Sequence, residues 1–139
     1  MTISMMKTAV FACSLALLAA CAGTPEIPPD TQAVRDYVEV GELQDVDRIG
    51  THVSDEWTPL TARYALYSGR DGRFLLEFNR ICREMYTNLQ ITPDRRYEHN
   101  VMRRGIDTLR GCRIDRMYPL TDAQAQEIEM LVKTPNSGN

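Results

Sequence analysis

The spacing of apolar positions changes several times along the chain, and each change marks an element. Thr8 to Leu18 is a nearly unbroken apolar run (Ala9, Val10, Phe11, Ala12, Leu15, Ala16, Leu17, Leu18). That is shorter than the roughly 20 residues a stable bilayer-spanning helix takes. With Lys7 in front of it, the run reads as the core of a secretory signal peptide over residues 1–20. Residues 21–29 hold Gly23, Pro25, Pro28 and Pro29, which predicts an extended tether. Beyond it Ala33, Val34, Tyr37 and Val38 form a narrow apolar stripe at helical spacing. This predicts a helix from Asp30 to about Val40, capped by Asp30 or Thr31 and stopped by Gly41. Val46 to Thr51 predicts a short strand, and Trp57, beside Pro59 and Leu60, reads as a lid on the core rather than a ligand platform.

The period then shortens to two. Arg63 to Ser68 and Arg73 to Phe78 flank Gly69-Arg70-Asp71-Gly72, a combination that predicts a β-hairpin. Phe74, Leu76 and Phe78 share one face of the second arm, and the expectation is that Tyr64 and Leu66 of the first arm join them. The two glycines suit a tight turn, since no Lys-Ser/Thr of the phosphate-binding kind follows them. Ile81, Met85 and Leu89 restore a four-residue spacing and predict a short helix carrying Cys82 and ending before Pro93. Thr92 to Arg104 is polar and reads as a long exposed loop. Ile106 to Leu109, the Arg110-Gly111 turn and Cys112 to Tyr118 read as a second hairpin, with Pro119 breaking its ladder. Thr121 and Gln124 form a capping box that opens a helix through Ile128, Leu131 and Val132, leaving 135–139 as a disordered tail. The class is therefore α+β: a small, mainly antiparallel sheet of two β-hairpins with an N-terminal and a C-terminal helix, one domain over residues 30–134.

Composition narrows the class without changing it. With 139 residues, 43% hydrophobic and 25% charged, the chain suits one globular domain and neither a disordered tail nor a multi-span membrane protein. The four cysteines carry more information. Cys13 lies in the signal peptide. Cys21 follows Leu18-Ala19-Ala20, which resembles the lipobox of bacterial lipoproteins. That resemblance implies a diacylglyceryl thioether on Cys21, palmitate-class acyl chains and a mature chain starting there. Ala22 and Gly23, with no Asp after the Cys, imply sorting to the outer membrane. Cys82 and Cys112 remain, and in an oxidising compartment two leftover thiols pair; two buried reduced thiols are the alternative, because sequence supplies no distance between them. A zinc site is disfavoured: no Cys-x-x-Cys occurs, and His52 and His99 lie apart.

Without Lys7 the mature chain carries 15 basic and 19 acidic residues, a net charge of −4, unevenly spread. Thr24 to Leu60 is acidic and Arg80 to Arg116 is basic. The two halves either face each other or stand as solvated surfaces, and the cluster Arg95, Arg96, Arg103 and Arg104 is the candidate site for an anionic envelope partner such as lipid head groups or an acidic protein. Nucleic acid is excluded by the export address. No residue pattern names a catalytic centre: neither histidine sits in a nucleophile setting such as Gly-x-Ser-x-Gly, and no cofactor motif occurs. The expected role is binding or structural, with an enzyme or a thiol-redox protein acting on an envelope substrate as the alternative.

Cys82 in its short helical segment, Asp107-Thr108-Leu109, and Cys112-Arg113-Ile114-Asp115-Arg116-Met117-Tyr118-Pro119-Leu120 together resemble the pattern of a family of small, lipobox-bearing Gram-negative envelope proteins classed as a domain of unknown function. The likeness runs from about Trp57 to Leu120. It implies the envelope address and the paired cysteines, and it carries over no catalytic residue.

Overall fold

The computed structural model describes residues 29–87, 94, 96 and 98–133. The expected signal peptide, Cys21, the expected tether up to Pro28, Arg95 and residues 135–139 lie outside the described residues. Among the described residues two α-helices, α1 (Pro29–Val40) and α2 (Asp122–Lys133), flank seven strands: β1 (Arg48–Gly50), β2 (Glu56–Pro59), β3 (Tyr64–Gly69), β4 (Gly72–Phe78), β5 (Val101–Arg103), β6 (Thr108–Leu109) and β7 (Cys112–Leu120). The main sheet has the order β2-β3-β4-β7-β6, and β1 pairs with β5 in a separate two-stranded sheet. Every strand pairing is antiparallel. The α+β class holds. A sheet of two hairpins alone does not describe it, because β2 adds an edge strand and β1 and β5 form a second sheet.

The main sheet is buried on both faces, and this corrects the expected packing of the first hairpin. Gly69 pairs with Gly72 across a two-residue turn, so Tyr67 faces Phe74, Ala65 faces Leu76, and Leu66 faces Leu75. Directly opposed residues point to the same side of a sheet. Phe74, Leu76 and Phe78 therefore share their core with Ala65, Tyr67, Ile49, Met102, Met117 and the cystine, with Trp57 half-buried against it. Tyr64 and Leu66 lie on the opposite face, with Leu75, Tyr118, Val34, Ala125 and Ile128. There α1 and α2 cover the sheet, tied to each other by the Tyr37 hydroxyl, which donates to Glu127 at 2.6 Å.

Other departures have local causes. Pro29, expected in the tether, opens α1, where its missing N–H and preset φ cost nothing. The positive φ that ends α1 belongs to Glu42 (φ 46°), not Gly41. The helix expected around Cys82 is a single 3₁₀ turn, Arg83–Met85, with Cys82 extended just before it; Leu89 lies outside the described residues. The Cys82 N–H donates to the Ala62 carbonyl at 2.6 Å, which holds this segment against the start of β3 and directs its sulfur inward. The polar stretch before Arg104 contains β5, whose Met102 is fully buried opposite Ile49. Pro119 does not end β7: it sits opposite Phe74 while the strand runs on to Leu120. Between Arg116 and Ile114, which oppose Glu77 and Phe78, Asp115 is the extra residue of a bulge. The second hairpin turns on Arg110 (φ 53°) and Gly111 (φ 78°), the two positive angles of a type I′ turn.

The capping box is formed as expected. The Thr121 N–H donates to Gln124 Oε1 at 2.8 Å, and the Gln124 N–H donates to Thr121 Oγ1 at 3.2 Å. Thr121→Ala should cost about 1 kcal/mol, measured as a shift in the urea midpoint with the m-value unchanged.

Candidate functional site

β4 runs from the hairpin turn at one end of the main sheet to the cystine at the other, and the two ends differ in chemistry. At the turn end, the loop between β1 and β2 folds onto the Arg70-Asp71 turn. Asp55 organises this loop: its Oδ2 accepts the His52 N–H at 2.5 Å and the Tyr67 hydroxyl at 2.5 Å, and its own N–H donates to the His52 carbonyl at 3.1 Å. Gly69 permits the approach, since a Cβ there would stand 3.0 Å from Asp55 Oδ2 and 3.0 Å from the Tyr67 ring. The result is an open groove of about 560 Å³ lined by His52, Ser54, Asp55, Glu56, Ser68, Gly69 and Arg70. Its walls present two carboxylates, a guanidinium, an imidazole and hydroxyls, a set suited to a small polar ligand with both donors and acceptors.

His52, Ser54 and Asp55 raise the question of nucleophilic chemistry. Ser54 Oγ lies 3.0 Å from His52 Nδ1, and the Ser54 N–H also donates to Nδ1, at 3.4 Å. In a hydrolytic triad the acid orients the imidazole. Here the described contacts of Asp55 go to a backbone N–H and to a phenol, so the three residues fix a turn. Sequence reasoning missed this groove because its parts are distant along the chain; the uninterrupted run Tyr64-Ala65-Leu66-Tyr67 was the available sign that Tyr67 turns inward. His99 is exposed in the turn before β5, where the neighbouring Asn100 carbonyl accepts the Thr51 N–H at 2.8 Å.

Burial, and then the hydrogen bond to Asp55, push the Tyr67 phenol well above its usual range. Burial, and then the charge of Glu77, push Tyr64 up to about 12 from 10.0. A phenol that keeps its proton longer in the folded chain stabilises that chain fully below pH 10 and loses the contribution as pH rises toward 12. Urea titrations followed by circular dichroism should therefore show stability falling from pH 10 to 12, less steeply in Tyr64→Phe.

At the other end, Cys82 and Cys112 are bonded, with their Cα atoms 6.0 Å apart, and both are fully buried. Glu84 Oε2 lies 3.6 Å from the Cys82 sulfur and 3.4 Å from that of Cys112. Arg80 grips Glu84 with hydrogen bonds of 2.8 and 3.2 Å and so holds its carboxyl below the usual range. The three side chains Cys82, Glu84 and Cys112 cluster as metal ligands would, but sulfurs joined to each other offer no thiolate. An anionic carboxylate beside both sulfurs raises the pKa of each departing thiol and so slows reduction.

The arginine cluster is distributed over internal partners. Arg104 pairs with Asp45 and, at 2.6 Å, with Asp47; Arg103 pairs with Glu98; Arg96 donates to the Thr108 carbonyl at 2.6 Å. Arg95 lies outside the described residues. The acidic and basic halves of the chain thus meet at Asp45, Asp47 and Arg104. Asp107, unremarked as a polar core residue in the sequence, is fully buried. It accepts the Arg103 N–H at 2.6 Å and locks β5 to the second hairpin.

No helix among the described residues is long and apolar enough to cross a membrane. No curated protein and no solved structure matches the chain. The model of one protein family does match, over residues 4–134. On that match the chain belongs to the family of unknown function DUF6491.

Proposed function

We propose that the protein is a membrane-anchored binding module of the bacterial cell envelope, held on the outer membrane by an acylated Cys21 and exposing a polar groove at the sheet end away from its disulfide. The observation that carries this reading is the buried Cys82–Cys112 bond downstream of Leu18-Ala19-Ala20-Cys21. Disulfides persist in oxidising compartments, and a lipobox supplies the route to one. Glu84 beside the sulfurs and the burial of both cysteines support a structural bond over a thiol-redox couple. Asp55, engaged with backbone and Tyr67, supports binding over hydrolysis at the groove. An anionic partner at Arg96, Arg103 and Arg104 is the second reading, and it would have to displace Asp45, Asp47 and Glu98.

Two or more acyl chains hold a protein stably on a bilayer. The wild-type protein should therefore stay with the membrane pellet through high-salt washing, whereas Cys21→Ala should lose most of its pelleted fraction. Release of the wild type by salt alone would refute the anchor.

A further inference from the structure

We infer that Cys82, Glu84 and Cys112 form a zinc site while the bond between the two cysteines is open, so that metal binding and disulfide formation exclude each other at one pair of sulfurs. The site is independent of any lipid on Cys21.

Glu84 is the residue that points to it. A cystine carries no S–H, so Glu84 Oε2, 3.6 Å from the Cys82 sulfur and 3.4 Å from that of Cys112, receives no proton from either. The approach gains a partner when a cation stands among the three atoms. In a tetrahedral site with Zn–S near 2.3 Å and Zn–O near 2.0 Å, neighbouring sulfur and oxygen ligands stand about 3.5 Å apart and two sulfurs about 3.8 Å apart. Both sulfur–oxygen edges are therefore already at the length zinc needs. Opening the bond has only to widen the sulfur–sulfur edge, by about 0.9 Å per sulfur from the usual bonded distance. The Cα atoms, 6.0 Å apart, can stay where they are.

The surroundings fit as well. Arg80 donates to Glu84 Oε1 at 2.8 Å, which leaves Oε2 for the metal and fixes the carboxylate from behind, as outer partners of metal ligands do. Two thiolates, one carboxylate, Zn²⁺ and the Arg80 guanidinium sum to zero charge. Met85, Met102 and Ile114 pack in the same core cluster as the sulfurs and close the inner side. Glu84, 24% exposed, marks the open side, where a metal can enter and a water can take the fourth position. No local spacing announces the site, because Cys112 reaches Cys82 through the pairing of β4 with β7, which continues in the Asn79 N–H donating to the Arg113 carbonyl at 3.1 Å.

The chemistry balances with a dithiol as reductant. It gives two electrons and two protons to the disulfide and closes into its own, leaving Cys82 and Cys112 as thiols. Zinc then sends both thiol protons to solvent as two Zn–S bonds form.

Cobalt titration of the full-length chain carrying Cys13→Ser and Cys21→Ser, in which Cys82 and Cys112 are the remaining cysteines, tests this. The chain is reduced with dithiothreitol in urea and refolded by desalting under argon. It should take up one equivalent of cobalt(II), with a thiolate-to-cobalt band in the near ultraviolet and the intense visible bands of a tetrahedral site, and zinc should displace the cobalt. The oxidised chain should show neither band. Zinc at a hundredfold excess over its Kd should raise the melting temperature of the reduced chain by about 10 °C and leave that of the oxidised chain unchanged. Glu84→Ala should weaken zinc binding by about tenfold or more. A reduced chain without the cobalt bands, or one cobalt shared between two chains, would overturn the site. So would a reduced chain that is unfolded without metal and stays unfolded with zinc. Equal zinc affinity in the Glu84→Ala chain would overturn the three-residue site by removing its oxygen ligand.

Discussion

Replacing Cys82 and Cys112 together by alanine should lower the unfolding free energy by about 3.7 kcal/mol, the chain-entropy value for a closed loop of this length. The bond joins residues 30 apart in sequence, and the loop it closes includes β5 and β6. Cutting it frees that segment in the unfolded chain while removing little from the folded one, since alanine keeps the site apolar. For a domain of this size the loss corresponds to a fall in melting temperature on the order of 15 °C. Calorimetry of the double variant checks it. A change within a few degrees would mean that β5, β6 and the 3₁₀ turn are held without the bond. Dithiothreitol should reach the bond slowly in the native protein and faster in Glu84→Gln, because removing the charge lowers the pKa of the leaving thiol.

Leu75→Ala and Leu76→Ala should each cost about 2 to 5 kcal/mol. These neighbours point to opposite faces of β4, and both are fully buried. Leu75 packs with the helix-side cluster and Leu76 with the cluster around the cystine. In a sheet with one face in water, one of the pair would be near neutral. Two large and similar losses in urea denaturation, with unchanged m-values, are therefore the signature of a sheet covered on both sides.

How far the sequence could be read depended on distance along the chain. The Arg73 to Phe78 alternation, the Gly69-Gly72 closure, the Arg110-Gly111 turn and the Thr121-Gln124 cap are local signals, and each has its counterpart in the fold. Faces and long-range pairings were harder. Tyr64, Ala65, Leu66 and Tyr67 are all apolar or aromatic, so alternation could not say which pair joins Phe74; the two-residue turn decides it by placing Tyr67 opposite Phe74. β5 was hidden because its only apolar side chains, Val101 and Met102, sit in a charged stretch, and its partner β1 ends at Gly50. The groove was hidden because it is assembled from two separate stretches, residues 52–56 and 68–70. Arg103 and Arg104 read as a patch in one dimension, whereas folding brings Asp45, Asp47 and Glu98 to them.

Asp55 explains why the groove end can be ordered without a second cystine. One carboxylate oxygen holds a loop N–H and a phenol from the core strand β3, so the loop that bears His52 and Ser54 is braced against the sheet. A ligand entering the groove would meet side chains already held in place, which limits the ordering cost of binding.

The claim on which the rest stands is that Cys21 carries lipid while Cys82 and Cys112 are closed on each other. Intact-mass spectrometry of the protein purified from its native cells reads both at once. The account predicts a chain beginning at Cys21, heavier by a diacylglyceryl group and its acyl chains, and lacking the two hydrogens of free Cys82 and Cys112 thiols. A chain with an unmodified amino end, or one that takes up alkylating reagent at Cys82 and Cys112 without prior reduction, would contradict it.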